Sequence, residues 1–194
     1  MKNFTQLLSK YISFKSVSTD LSFKDEVDKA VFWLKKLFSE AGFEVTLLQG
    51  GSTNPVVFAT LHLSDDFETV LVYGHYDVQP AEKKDGWETE PFDLLEKNGR
   101  LYGRGVVDNK GQNLIHIYSV IELLKSGELE YNVKFMIEGN EETGNPDMSD
   151  LVKKHIQKLE CDIVIISDGE IVGKSPSIES SLTVIVLLVK APLR

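Results

Sequence analysis

Phe4, Leu7, Leu8, Tyr11 and Ile12 recur at helical spacing, and Val27, Val31, Leu34, Leu37 and Phe38 do the same before Gly42. Two helices are therefore predicted to open the chain. Strand-like runs follow at Phe43 to Leu48, Val56 to Leu63 and Val70 to Tyr73, divided by Gly50-Gly51 and by the acidic stretch at Asp65 and Asp66; connections this short predict a meander. Asn98-Gly99, between Phe92 to Glu96 and Arg100 to Tyr102, accepts the positive φ angles of a tight hairpin. Beyond it Leu114, Ile117, Ile121 and Leu124 mark a helix ending at Gly127, and Tyr131 to Ile137 marks a strand. Met148, Leu151, Val152, Ile156 and Leu159 mark one further helix, and Ile163 to Ile166 is a short apolar strand. Strands alternating with helices predict βαβ units, so Val70 to Tyr73, Tyr131 to Ile137 and Ile163 to Ile166 should run parallel in one sheet. The predicted class is α/β, with a mixed, mainly parallel sheet flanked by helices. After a turn-rich stretch from Gly169 to Ser181, the nearly continuous apolar run Leu182 to Val189 predicts a last strand covered on both faces, whose uncovered edge would favour self-association.

Composition narrows the class without changing the pattern. The chain has 194 residues, 42% hydrophobic and 26% charged, which are ordinary values for one folded domain. Lys and Arg total 21 against 30 Asp and Glu, a formal charge of −9, which argues against a nucleic-acid surface and is compatible with cation binding. Cys161 is the only cysteine, so no internal disulfide forms, and the N-terminal residues contain no apolar targeting core. These features predict a cytoplasmic protein that does not enter a membrane.

Polar residues gather just past the parallel strands: His75 and Asp77 after the first, Glu141 and Glu142 after the second, and Asp168 after the third. In open α/β sheets the crevice outside the carboxyl ends of the strands is the place for a ligand. Asp108 joins them from the Gly-rich loop Gly103 to Gly111. Carboxylates crowded on one rim repel unless a cation neutralises them, and imidazole with carboxylate suits Zn²⁺, Co²⁺ or Mn²⁺. A bridging carboxylate would suit a pair of such ions, and so metal-assisted hydrolysis. Singly, each residue has an ordinary reading: His75 as a partly buried histidine, Glu141-Glu142 as a solvated turn, Asp108 as a helix cap. His62, His116 and His155 keep that reading, the last two on helix faces turned away from the rim. The loop lacks the glycine spacing of a phosphate cradle, and Ser167 to Glu170 lacks the flanking glycine of a nucleophile elbow.

The segments Tyr73 to Pro80, Gly86-Trp87 with Pro91-Phe92, and Leu101 to Gly111 closely resemble the family of two-metal exopeptidases that includes aminoacylases, carboxypeptidases and dipeptidases. Glu138 to Gly144 and Ser167-Asp168-Gly169 continue the resemblance in order. It implies that His75 and Asp168 bind one metal, Asp108 bridges two, Glu142 binds the second, Glu141 is the general base, and Asp77 orients the His75 imidazole. It further implies a cis peptide after Asp108, two divalent ions with zinc favoured and manganese or cobalt as alternatives, and a homodimer for the full-length protein.

His-Tyr-Asp-Val-Gln-Pro with Asp168 looks like the dipeptidase branch. The expected function is hydrolysis of dipeptides or short peptides, a metallopeptidase reaction; alternatives are a deacylase or amidohydrolase of N-acyl amino acids and a non-catalytic metal-binding remnant. By the same resemblance residues 1–194 are the N-terminal part of a catalytic domain whose lid or dimerisation domain and C-terminal segment are missing, so the chain alone is expected to be inactive.

Overall fold

The computed structural model describes residues 3–169; the strand expected over Leu182 to Val189 lies outside them. Helix α1 spans Phe4–Ile12 and opens with a reciprocal cap, in which the Asn3 side chain accepts from the Gln6 amide and Gln6 accepts from that of Asn3. Helix α2 covers Lys24–Glu40, with Asp25 and Glu26 in the first turn where the helix dipole favours acids. Strands β1 (Glu44–Leu48), β2 (Val56–Leu61) and β3 (Thr69–His75) follow, then the small hairpin β4 (Leu95–Lys97) and β5 (Arg100–Tyr102). Helix α3 (Lys110–Ser126), strand β6 (Asn132–Glu138), helices α4 (Met148–Lys154) and α5 (Ile156–Leu159), and strand β7 (Ile163–Ile166) complete the described chain. The single helix expected from Met148 to Leu159 is thus two, divided at His155.

The main sheet has the order β1-β2-β6-β3-β7, with β1, β2 and β6 antiparallel and β6, β3 and β7 parallel, so the mixed sheet flanked by helices is as expected, with its pairings divided evenly between the two senses rather than mainly parallel. The meander is corrected. β6 separates β2 from β3, and Asn132, its first residue, holds the crossing connection in place. Its side chain accepts from the amides of Leu63 and Ser64 and donates to the carbonyls of Ser64 and Phe67. The 62–68 segment is long enough to step past one strand, since neighbours lie only about 4.8 Å apart.

Side chains on the central strands alternate between two cores. Val57 and Ala59 of β2, Val72 of β3, and Val133, Phe135 and Ile137 of β6 pack beneath α1, α2 and α3; Val56, Phe58, Leu71 and Met136 face α4 and α5. Phe38, Phe43 and Phe135 form a ring cluster in the larger core, with centroids 5.0 to 5.8 Å apart. Among the described residues β7 lies at the sheet edge, with Ile163, Ile165 and Ile166 partly exposed. This frame brings the C-terminal ends of β3, β6 and β7 to one rim.

Candidate metal centre

His75 is the last residue of β3 and is fully buried. Its Nδ1–H donates to the Asp77 carbonyl oxygen at 3.0 Å, an acceptor that cannot donate, so Nδ1 keeps its proton and Nε2 is the ring nitrogen turned toward the carboxylates of the rim. Nε2 faces Asp108 Oδ1 at 3.0 Å, Asp168 Oδ2 at 3.3 Å and Glu141 Oε2 at 4.0 Å. The ligand atoms of His75, Asp108 and Asp168 all lie within 4.8 Å of one another. Burial works against a charged imidazole here, but the carboxylates of Asp168 and Asp77 outweigh it and push His75 up to about 11. The pocket demands positive charge, as a cation site does.

The backbone around His75 is gripped from helix α3. Asn109 Oδ1 accepts the His75 amide at 3.2 Å, and Asn113 donates to the His75 carbonyl at 2.8 Å. Gly74 makes the grip possible, since a Cβ there would lie 2.6 Å from Asn109 Oδ1. One residue round the same helix, Gln112 donates to the Gly169 carbonyl at 3.2 Å and the His116 ring meets the Ser167 hydroxyl at 2.7 Å. Two i,i+4 pairs on α3 therefore fasten the two strand ends that supply His75 and Asp168. His116 was expected to face away from the rim; it lies against the residue before Asp168 instead, and burial keeps its imidazole below the usual range. The signal for it was the Asn109, Gln112, Asn113, His116 spacing.

Asp108 enters from the loop before α3, with a cis peptide to Asn109 as the resemblance implies. Asn109, not Asp108, occupies the cap position of the helix. Gly111 permits the tight turn, because a Cβ there would lie 1.9 Å from the Val106 carbonyl oxygen. Lys110 is wholly buried, donates to the carbonyls of Tyr11 at 3.2 Å and Phe14 at 2.7 Å, and is lowered to about 7 by its burial. It ties the end of α1 to the loop that carries Asp108.

The paired glutamates are placed differently. They sit in a single turn of 3₁₀ helix, Glu141–Thr143, just after β6. Asp77, fully buried, accepts the Glu141 amide at 3.3 Å and the Glu142 amide at 3.2 Å, and its Oδ1 lies 3.4 Å from His75 Nδ1. Asp77 thus holds the glutamate turn directly, while its own carbonyl is the nearer partner of the imidazole. Glu142 is drawn onto Gln79, whose side chain reaches Oε2 at 2.8 Å and whose amide reaches Oε1 at 3.2 Å. Glu141 stays beside the cluster, and partial burial raises its carboxyl; Asp168 and Glu142 add to the rise while His75 opposes it. Below the turn, buried Glu138 accepts from Tyr73 and Asn145, pinning the end of β6.

Residues 71–182 match the model of the peptidase family M20/M25/M40. The chain is 37% identical over 189 residues to a Cys-Gly metallodipeptidase, DUG1, of Saccharomyces cerevisiae, covering 88% of this chain and 39% of that protein. It is 43% identical over 121 residues to a Beta-Ala-His dipeptidase of Rattus norvegicus, covering 60% of this chain and 24% of the relative. The fold matches human carnosine dipeptidase 1 with a TM-score of 0.81 and 34% identity, over 86% of this chain and 38% of that one. The chain therefore spans less than two fifths of the length of these relatives.

Proposed function

The chain belongs to the peptidase family M20/M25/M40, and from that premise we propose that it is the metal-binding part of a dipeptidase catalytic domain, acting on dipeptides or short peptides. The observation that carries the reading is the convergence of His75 Nε2, Asp108 and Asp168 at the ends of parallel strands. One buried imidazole and two carboxylates fit a borderline divalent ion. His75, Asp108 and Asp168 would hold one ion, and Asp108 with Glu142 a second; zinc suits the donors best, with manganese or cobalt as alternatives. When bound, such ions acidify water and polarise a peptide carbonyl. Glu141 takes the proton of the attacking water at its carboxylate, a role suited by its raised pKa and its place beside His75. Asp77 holds both the imidazole and the glutamate turn. The proposal extends to a cytoplasmic setting, supported by the single Cys161, and to a homodimer for the full-length protein.

In the protein carrying the complete peptidase domain, Glu141→Gln should cut dipeptide turnover by about a hundredfold or more while metal stoichiometry is kept. Unchanged turnover contradicts the role. Faster cleavage of N-acyl amino acids than of dipeptides would replace the substrate reading with a deacylase.

A further inference from the structure

The segment before the second helix makes a strap across the residues that follow His75. Val17 bridges Val78 in parallel fashion, the Val78 amide donates to the Ser16 carbonyl at 3.0 Å, and the buried Ser16 hydroxyl donates to the Tyr76 carbonyl at 2.6 Å. The next hydroxyl along does something different. Ser18 Oγ donates to Asp77 Oδ2 at 2.6 Å, the shortest of the contacts that this carboxylate accepts. Asp77 has no solvent exposure, so its orientation is decided by its protein donors alone. Oδ2 takes the Ser18 hydroxyl and the Glu142 amide; Oδ1 takes the Glu141 amide and faces His75 Nδ1.

We infer that Ser18 is a positioning residue of the metal centre, its hydroxyl locking the Asp77 carboxylate in the one orientation that serves the His75 imidazole and the Glu141-Glu142 turn together. Without that hydroxyl the buried carboxylate keeps only the two longer amide contacts and the 3.4 Å approach of His75 Nδ1, and turns to improve them. The turn moves Oδ1 relative to the ring it faces, and the imidazole loses part of what orients it. Groups that orient a ligand imidazole are commonly worth about 10-fold to 100-fold in metal affinity, and one step further out the expected loss lies at the lower end of that range.

The inference rests on the reading of His75, Asp108 and Asp168 as a metal site, and its test separates the two. Zn²⁺ affinity of the 194-residue chain is measured by competition with a chromophoric chelator, beside thermal melting, for the parent, Ser18→Ala, Ser18→Thr and Ser16→Ala. Ser18→Ala is expected to bind Zn²⁺ about 10-fold more weakly, Ser18→Thr to stay within about twofold because the hydroxyl is kept, and Ser16→Ala to melt earlier with its affinity unchanged. Ser16 serves as the control because it sits in the same strap and donates only to a carbonyl. Parent affinity in Ser18→Ala, equal weakening of Ser18→Ala and Ser18→Thr, or equal weakening of Ser16→Ala overturns the inference. Failure of the parent chain to bind Zn²⁺ would instead overturn the metal reading beneath it.

Discussion

The two halves of the acidic rim differ in what their carboxylates face. Around His75 the oxygens of Asp108 and Asp168 converge on one ring nitrogen, and among the described residues that imidazole is the donor that relieves their mutual repulsion. Around Glu142 the carboxylate is already satisfied, both oxygens taken by Gln79. In the first arrangement an incoming cation takes over the charge that the imidazolium now supplies; in the second it must displace hydrogen bonds. A divalent ion should therefore enter the His75 half first, and ligation by Glu142 should carry the cost of leaving Gln79.

The sharpest way to break this contrast is to remove one ligand from each half. His75→Ala should weaken Zn²⁺ binding by upward of about a hundredfold, since structural zinc sites store roughly 10–16 kcal/mol across about four ligands. Glu142→Ala should leave that first binding event within about threefold; calorimetry reads both. Next in size, Asn113→Ala removes the donor to the His75 carbonyl and should cost about 1–3 kcal/mol of stability with a roughly 10-fold loss of Zn²⁺ affinity. A denaturant melt and a chelator competition separate the two effects.

Protons provide the next test. His75 is held up to about 11 by the surrounding carboxylates, so at pH 7 its imidazolium must give up its proton when a metal binds. Binding should release about one proton per ion. Because the group's folded pKa lies above the working pH, affinity should fall about tenfold for each unit the pH drops below neutrality, until the carboxylates also protonate and steepen the loss. Calorimetry in buffers of different ionisation enthalpy measures the release directly. The smallest effect belongs to Gln79→Ala, which removes the side-chain donor to Glu142 Oε2 and leaves the backbone amide on Oε1: stability should drop by about 1 kcal/mol, with the first Zn²⁺ affinity unchanged.

What could be read in advance follows the range of each interaction. Strand-like runs at Val70 to Tyr73, Tyr131 to Ile137 and Ile163 to Ile166, alternating with helical periods, announced βαβ units, and these strands do run parallel. Residues of the rim were legible because strand ends collect them and because several short motifs stand in order. The placing of β6 between β2 and β3 was not legible, for it depends on the Asn132 side chain catching a distant loop. Nor was the work of α3. Asn109, Gln112, Asn113 and His116 read as ordinary polar positions on a helix until β3 and the loop after β7 are packed against them. Asp77 shows the same limit, since spacing places it near His75 but cannot reveal that its carboxylate accepts the amides of residues 64 and 65 positions away.

A cation site assembled within this chain from His75, Asp108 and Asp168 would reveal itself in anomalous diffraction from crystals grown with Zn²⁺. The expected result is a single strong peak about 2.0–2.2 Å from His75 Nε2 and from carboxylate oxygens of both Asp108 and Asp168. A peak bound to Glu142 without His75, or none at the end of β3 in crystals grown with saturating Zn²⁺, would contradict it.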